Sequence, residues 1–93
     1  MQYRNRSRII AELLLAVRDD NMGNGVKIHP LFRRCNISYT RLKILIATLE
    51  GAGLVKEIGA GGSKLYMISQ EGARYLEVWS RFDGFAQSYG LKL

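Results

Sequence analysis

Of the residue types that most often announce chemistry, this chain has almost none: one cysteine, one histidine, one tryptophan and one proline in 93 residues. A lone Cys35 has no second cysteine to pair with, which points to a reducing cytosol. Cys35 and His29 together fall short of the four ligands a structural zinc takes, so no metal is expected. Cys35 reads instead as a core residue and His29 as a surface residue at a helix start. No apolar run approaches the roughly 18 residues of a membrane span, and 24% of the chain is charged, so no membrane partner is expected. The opening M-Q-Y-R-N-R-S-R lacks the uncharged core and small-residue cleavage site of a secretory signal. Asn36-Ile37-Ser38 matches a glycosylation sequon on paper, but without a secretion signal it reads as a helix-capping turn. No Ser/His/Asp set and no paired carboxylates assemble into a catalytic constellation. The chain is therefore expected to be no enzyme and to need no cofactor, and no small-molecule ligand is evident. It has no internal repeat and no low-complexity tract.

What the chain does have is positive charge, unevenly placed. The net charge is +6. Residues 1–52 hold nine Lys/Arg against four Asp/Glu, and residues 53–93 hold five against four. A basic half joined to a nearly neutral half suggests one surface facing a polyanion and another facing protein. The plainer reading, a charge that only keeps the protein soluble, stays open at this point. The 47% hydrophobic content is ordinary for one globular domain, and this length leaves no room for two independent cores.

Periodicity divides the chain. Ile10, Leu13, Leu14 and Val17 recur at three and four residues, which predicts a helix over about residues 7–19. Ahead of it, Arg4, Arg6 and Arg8 alternate with polar residues, either as an arm that reaches a phosphate or as a solvated terminus. N-M-G-N-G at 21–25 reads as a loop, and an EF-hand over 19–25 fails for want of acidic ligands at alternating positions. A short helix fits 28–35, with Pro30 tolerated in its first turn; Leu31, Phe32 and Cys35 are expected to face inward, and Arg33 and Arg34 outward. Residues 36–54 then read N-I-S-Y-T-R-L-K-I-L-I-A-T-L-E-G-A-G-L. Ser38 can accept from the free N–H groups of the first turn, Gly53 can close the helix in the left-handed conformation, and Leu42, Leu45, Ile46 and Leu49 form a buried stripe. Ile37 is expected to plug the core at the turn.

After Gly53 the period falls to about two. Short runs at 54–58 and 65–68, around Gly59-Ala60-Gly61-Gly62-Ser63, predict a β-hairpin. Ser69 then caps a last helix carrying Tyr75, Val78, Trp79, Phe82, Phe85, Ala86 and Tyr89 at helical spacing, a segment with five of the nine aromatic residues. Part of that stripe must pack on the domain, and the remainder is expected to pair with a second copy, because so large an exposed aromatic patch is unusual in a monomer.

Helix, tight turn and capped helix make a helix-turn-helix, and a hairpin directly after it makes a wing. The expected fold is mainly α with a small β-hairpin: a winged helix-turn-helix (α-α-α-β-β-α) over residues 1–68, with a C-terminal dimerisation helix over 69–93. In such a fold the recognition helix, about 38–52, enters the major groove by its N-terminal residues. Arg41 could hold a guanine edge, Lys43 a phosphate, and Ser38 or Tyr39 the backbone, with Thr40, Asn36, Arg33 and Arg34 beside them. Gly59-Ala60-Gly61-Gly62-Ser63-Lys64 lacks the spacing of a phosphate-binding loop and joins two strands. As a wing tip at 59–64 it lets the backbone approach the duplex, with Lys56 and Lys64 placed for phosphates.

N-I-S-Y-T-R-L-K…L-E-G-A-G-L-V (36–55) and L-Y-M-I-S-Q-E-G-A-R-Y-L-E (65–77) resemble the corresponding segments of small archaeal winged-helix DNA-binding proteins that dimerise through a C-terminal helix. The resemblance covers about residues 5–82. It implies a homodimeric, nucleoid-associated cytoplasmic protein that binds double-stranded DNA, as a transcriptional regulator or a chromatin-like factor. Two departures stand out: Gly84 and Gly90 weaken the last helix near its end, where the family's is a longer coiled-coil partner, and Ile44 and Ala47 occupy recognition-helix positions that are often polar. The alternative reading is a protein-interaction winged helix in a larger assembly.

Overall fold

The computed structural model describes residues 6–19, 25–60 and 63–91. Along the chain run α1 (Arg6–Asp19), α2 (Ile28–Cys35), α3 (Tyr39–Gly51), β1 (Val55–Ala60), β2 (Ser63–Ile68) and α4 (Gln70–Gln87). This is the winged helix-turn-helix order, mainly helical with one antiparallel hairpin.

α1 lies at the centre. Ile9, Ala11, Leu13, Leu14, Ala16 and Val17 are all buried, a wider band than the single expected stripe, while Ile10 is half-buried. The reason is that α1 packs against α2, α4 and β2 at once, and alanines at 11 and 16 let neighbours come close. Arg8, expected in a loose arm, is instead a helical residue: its Nη2 lies 3.2 Å from Asp83 and its guanidinium 5.5 Å over the Trp79 ring. Arg6 opens the helix, and Arg4 lies outside the described residues.

α2 buries Leu31 and Cys35 but not Phe32, which sits about 100° around the helix from Leu31 and stays at the surface. The inward expectation for Phe32 is corrected on that ground. Asn36 ends α2 in the left-handed region, φ 52°, which reverses the chain into α3 and leaves Ile37 packed on the core. α3 buries Leu42, Leu45, Ile46 and Leu49 as its spacing predicts, and Ser38 caps it, its Oγ accepting from the Arg41 N–H at 3.2 Å. Gly53, φ 80°, closes it: the Leu54 N–H donates to Leu49 O and the Gly53 N–H to Glu50 O, the paired bonds of a Schellman ending.

The hairpin is longer than its apolar runs, with pairs from Val55↔Ile68 out to Ala60↔Ser63, so Gly59 and Lys64 belong to the ladder and not to the turn. Residues 61 and 62 of the expected tip lie outside the described residues. A third extended piece joins unannounced: the Val26 N–H donates to Tyr66 O at 2.9 Å, and the Tyr66 N–H donates to Val26 O at 2.8 Å. One residue pair has no period from which to read it.

One junction ties α3, the hairpin and the last helix together. Ser69 is buried; its Oγ donates to Gly53 O at 2.6 Å and accepts from the Gly72 N–H at 3.0 Å, and its N–H donates to Leu54 O at 3.0 Å. Gly72 has no room for a side chain, since a Cβ would overlap the Leu54 carbonyl oxygen and Ile68 Cγ1. α4 runs through Gly84 without a break. It returns to α1 through Leu76, half-buried Tyr75 and Trp79, and the Arg8–Asp83 ion pair.

Candidate nucleic-acid interface

With one side of α3 held in the core, Tyr39, Thr40, Arg41, Lys43, Ile44, Ala47 and Thr48 are turned to solvent. The Ser38 cap fixes the first turn, so the start of the exposed face does not fray. At the corner between α2 and α3 the rings of His29 and Tyr39 stack at 6.0 Å, and Phe32 meets Tyr39 edge-on at 5.8 Å. Lys43 Nζ sits 5.6 Å above the Tyr39 ring, which holds its charge at this corner. Arg33 and Arg34 are exposed on the last turn of α2, at the negative end of its dipole. The neighbouring Asp19 carboxyl is held below the usual carboxylate range by its hydrogen bond with Arg18, Arg34 adding a smaller pull.

The hairpin brings a second set of charges. Lys56 is exposed, while Lys64 Nζ lies 4.0 Å from Glu57. Burial, then the Glu57 carboxylate, push the Glu50 carboxyl up; burial, then Glu50 and Glu57, push the Tyr66 phenol up. The seam between the last turn of α3 and the base of the wing is thus acidic, and the wing lysine nearest to it is already paired.

Ser38, Tyr39, Thr40, Arg41 and Lys43 therefore share one capped turn and a half of α3, with Arg33 and Arg34 on the preceding helix. Asn36 serves first as the left-handed joint between the two helices. Sequence reasoning missed His29 and Phe32 as parts of the corner. The available signal was their three-residue spacing on α2, away from the Leu31–Cys35 line.

The other exposed surface is on α4. Val78, Phe82 and Phe85, with Tyr89 and Leu91 beyond the helix, are 57% to 69% exposed, and the Phe85 and Tyr89 rings lie 5.1 Å apart. Tyr75 and Trp79, read with that stripe, turn toward α1, where the Tyr75 hydroxyl donates to Ser7 O at 3.4 Å. Beside them a cleft of about 390 Å³ between α1 and α4 is lined by Leu15, Leu76 and Trp79 with polar residues at its rim. Among the described residues no group of three or more His, Cys, Asp or Glu could hold a metal ion, and no helix is long and apolar enough to cross a membrane.

No protein-family model and no curated protein sequence matches the chain. Solved structures do. Sso10a-2, a DNA-binding protein from Sulfolobus solfataricus, is similar over 92% of this chain and 85% of that one, with a TM-score of 0.78 at 15% identity. AF1382 from Archaeoglobus fulgidus is similar over 87% and 90%, with a TM-score of 0.66 at 18% identity. SSV1 F-93 is similar over 85% and 90%, with a TM-score of 0.63 at 19% identity. At such identities the likeness is one of fold.

Proposed function

We propose that the protein is a dimeric, winged-helix, double-stranded DNA-binding protein, a transcriptional regulator or chromatin-like factor associated with the nucleoid. The observation that carries this reading is the outer face of α3, capped at Ser38 and presenting Arg41 and Lys43 on a helix whose other side is locked in the core. Its N-terminal turn enters the major groove, and Arg33, Arg34 and the wing lysines Lys56 and Lys64 meet phosphates on either side. The concentration of basic residues in the first half of the chain supports the polyanion, as does the DNA-binding description of the similarly folded Sso10a-2. Two copies pair through Val78, Phe82 and Phe85 of α4 and Tyr89 just beyond it, while Tyr75 and Trp79 anchor that helix to its own domain. A two-fold pair sets its recognition helices about 34 Å apart, one turn of duplex.

The test is duplex binding across a salt series. Each phosphate contacted contributes about 0.9 to the slope of log affinity against log salt, so Arg41→Ala with Lys43→Ala should flatten the slope by about two. A salt-independent curve for the unaltered protein would sink the DNA reading. The second reading, a protein-interaction winged helix in a larger assembly, draws on exposed Ile44 and Phe32, and it requires no duplex binding at moderate salt.

A further inference from the structure

The middle of the α3 outer face is left unused by phosphate contacts. At about 3.6 residues per turn, Thr40, Ile44, Ala47 and Gly51 fall along one line, opposite the buried stripe of Leu42, Leu45, Ile46 and Leu49. Ile44 is 61% exposed at its centre. Thr48, next to that line, donates its hydroxyl to the Ile44 carbonyl oxygen at 2.9 Å, so its donor is engaged within the helix. Arg41 stands on one flank of the line and Lys43 on the other.

A face that is apolar along its middle and basic along both edges has a matching shape in duplex DNA. The major groove is walled by phosphates, and the one apolar group on its floor is the 5-methyl of thymine. Guanine, cytosine and adenine present donors and acceptors there, and covering them with Ile44 would leave them without partners. We propose that α3 reads thymine methyl groups: Ile44 and Ala47 pack on them, while Arg41 and Lys43 hold phosphates of the two walls. The preference is for A·T steps at the centre of the contacted groove, and Arg41 grips backbone and not a guanine edge. The inference rests on the DNA-binding reading above. A protein partner could cover the apolar line, but it would leave the cations on both flanks unexplained.

The experiment compares three duplexes of equal length at one salt concentration, using the full chain and fluorescence anisotropy. One is A·T-rich, one is the same with deoxyuridine for every thymidine, and one is G·C-rich. Deoxyuridine keeps the charge and the base pairing and removes only the methyl group. Binding should weaken about fourfold per contacted methyl, the factor that one buried carbon is worth, and about fifteenfold where two are contacted. Ile44→Ala changes an exposed side chain and leaves the core intact, so it should lose most of the difference between the thymine and uracil duplexes, Ala47 keeping the remainder, with the salt slope unchanged. Equal binding of those two duplexes by the unaltered protein overturns the proposal and leaves DNA binding standing. Sensitivity to uracil that is undiminished in Ile44→Ala overturns it as well, since duplex shape would then be what is read. Binding to none of the three removes the DNA reading itself and gives the stripe to a protein partner.

Discussion

Helices α3 and α4 begin and end by the same devices. Each starts at a serine whose Oγ accepts from an N–H three residues on, Ser38 from Arg41 and Ser69 from Gly72. Each closes at a glycine of positive φ, Gly53 and Gly90, with the following N–H donating five residues back, Leu54 to Leu49 and Leu91 to Ala86. Yet their outer faces differ. α3 shows one large aliphatic side chain, Ile44, between the cations Arg41 and Lys43, whereas α4 shows Val78, Phe82 and Phe85, with Tyr89 just past its end. Punctuation fixes where a helix starts and stops; the residues left over after the core is filled decide what the helix can meet. The two caps also differ in setting, because Ser38 is exposed whereas Ser69 is buried and carries the Gly53 carbonyl as well.

The largest expected effect breaks the comparison on the α4 side. Phe82→Glu with Phe85→Glu removes two large apolar side chains per copy from the proposed pairing surface. At about 2 kcal/mol each, the dimer should weaken by at least about a thousandfold, read by sedimentation equilibrium, with the DNA salt slope per protomer unchanged. If the unaltered protein sediments as a monomer at high micromolar concentration, that surface has another occupant. Next comes the junction that joins the two helices. Gly72→Ala drives a methyl into the Leu54 carbonyl and Ile68, and should cost about 3 kcal/mol in urea denaturation.

Smaller effects sharpen the contrast between the caps. Ser69→Ala removes a cap and strands the buried end of Gly53, for about 2 kcal/mol, whereas Ser38→Ala loses one solvated cap bond, for about 1 kcal/mol. Equal costs would show that burial adds nothing to the cap. The smallest effect lies at the acidic seam. Burial and then Glu57 raise the Glu50 carboxyl above its ordinary 4.5, so the folded state holds that proton more tightly than the unfolded chain does. Stability from this site is present below 4.5 and is lost as pH rises through the raised folded value. Glu50→Gln should therefore flatten the dependence of the thermal midpoint on pH across that window, measured by circular dichroism.

The helices were legible because each advertises a local period and local stops. The α3 stripe, the Ser38 and Ser69 caps and the Gly53 ending all follow from residues within a few positions of one another. Phe32 and Arg8 were misjudged because their places depend on distant residues: Phe32 turns to Tyr39 across the corner, and Arg8 finds Trp79 and Asp83 at the far end of the chain. Val26 was invisible for a related reason, since one extended residue makes no pattern until Tyr66 lies beside it. At the candidate site, sequence spacing placed Arg41 and Lys43 on the exposed side. It could not place His29 against Tyr39, nor show that Lys64 lies against Glu57.

By itself, then, the sequence determined the order of elements and the buried stripe of α3, because hydrophobic period and capping chemistry act over a turn or two. Tertiary structure alone decided which exposed residues remain available to a partner. It assigned Tyr75, Trp79 and Arg8 to the α1–α4 contact and left Phe82, Phe85 and Tyr89 open. It also required glycine at position 72, where the end of α3, the wing and α4 meet too closely for a side chain. Burial between elements far apart in the chain depends on how they dock, and no local pattern encodes that.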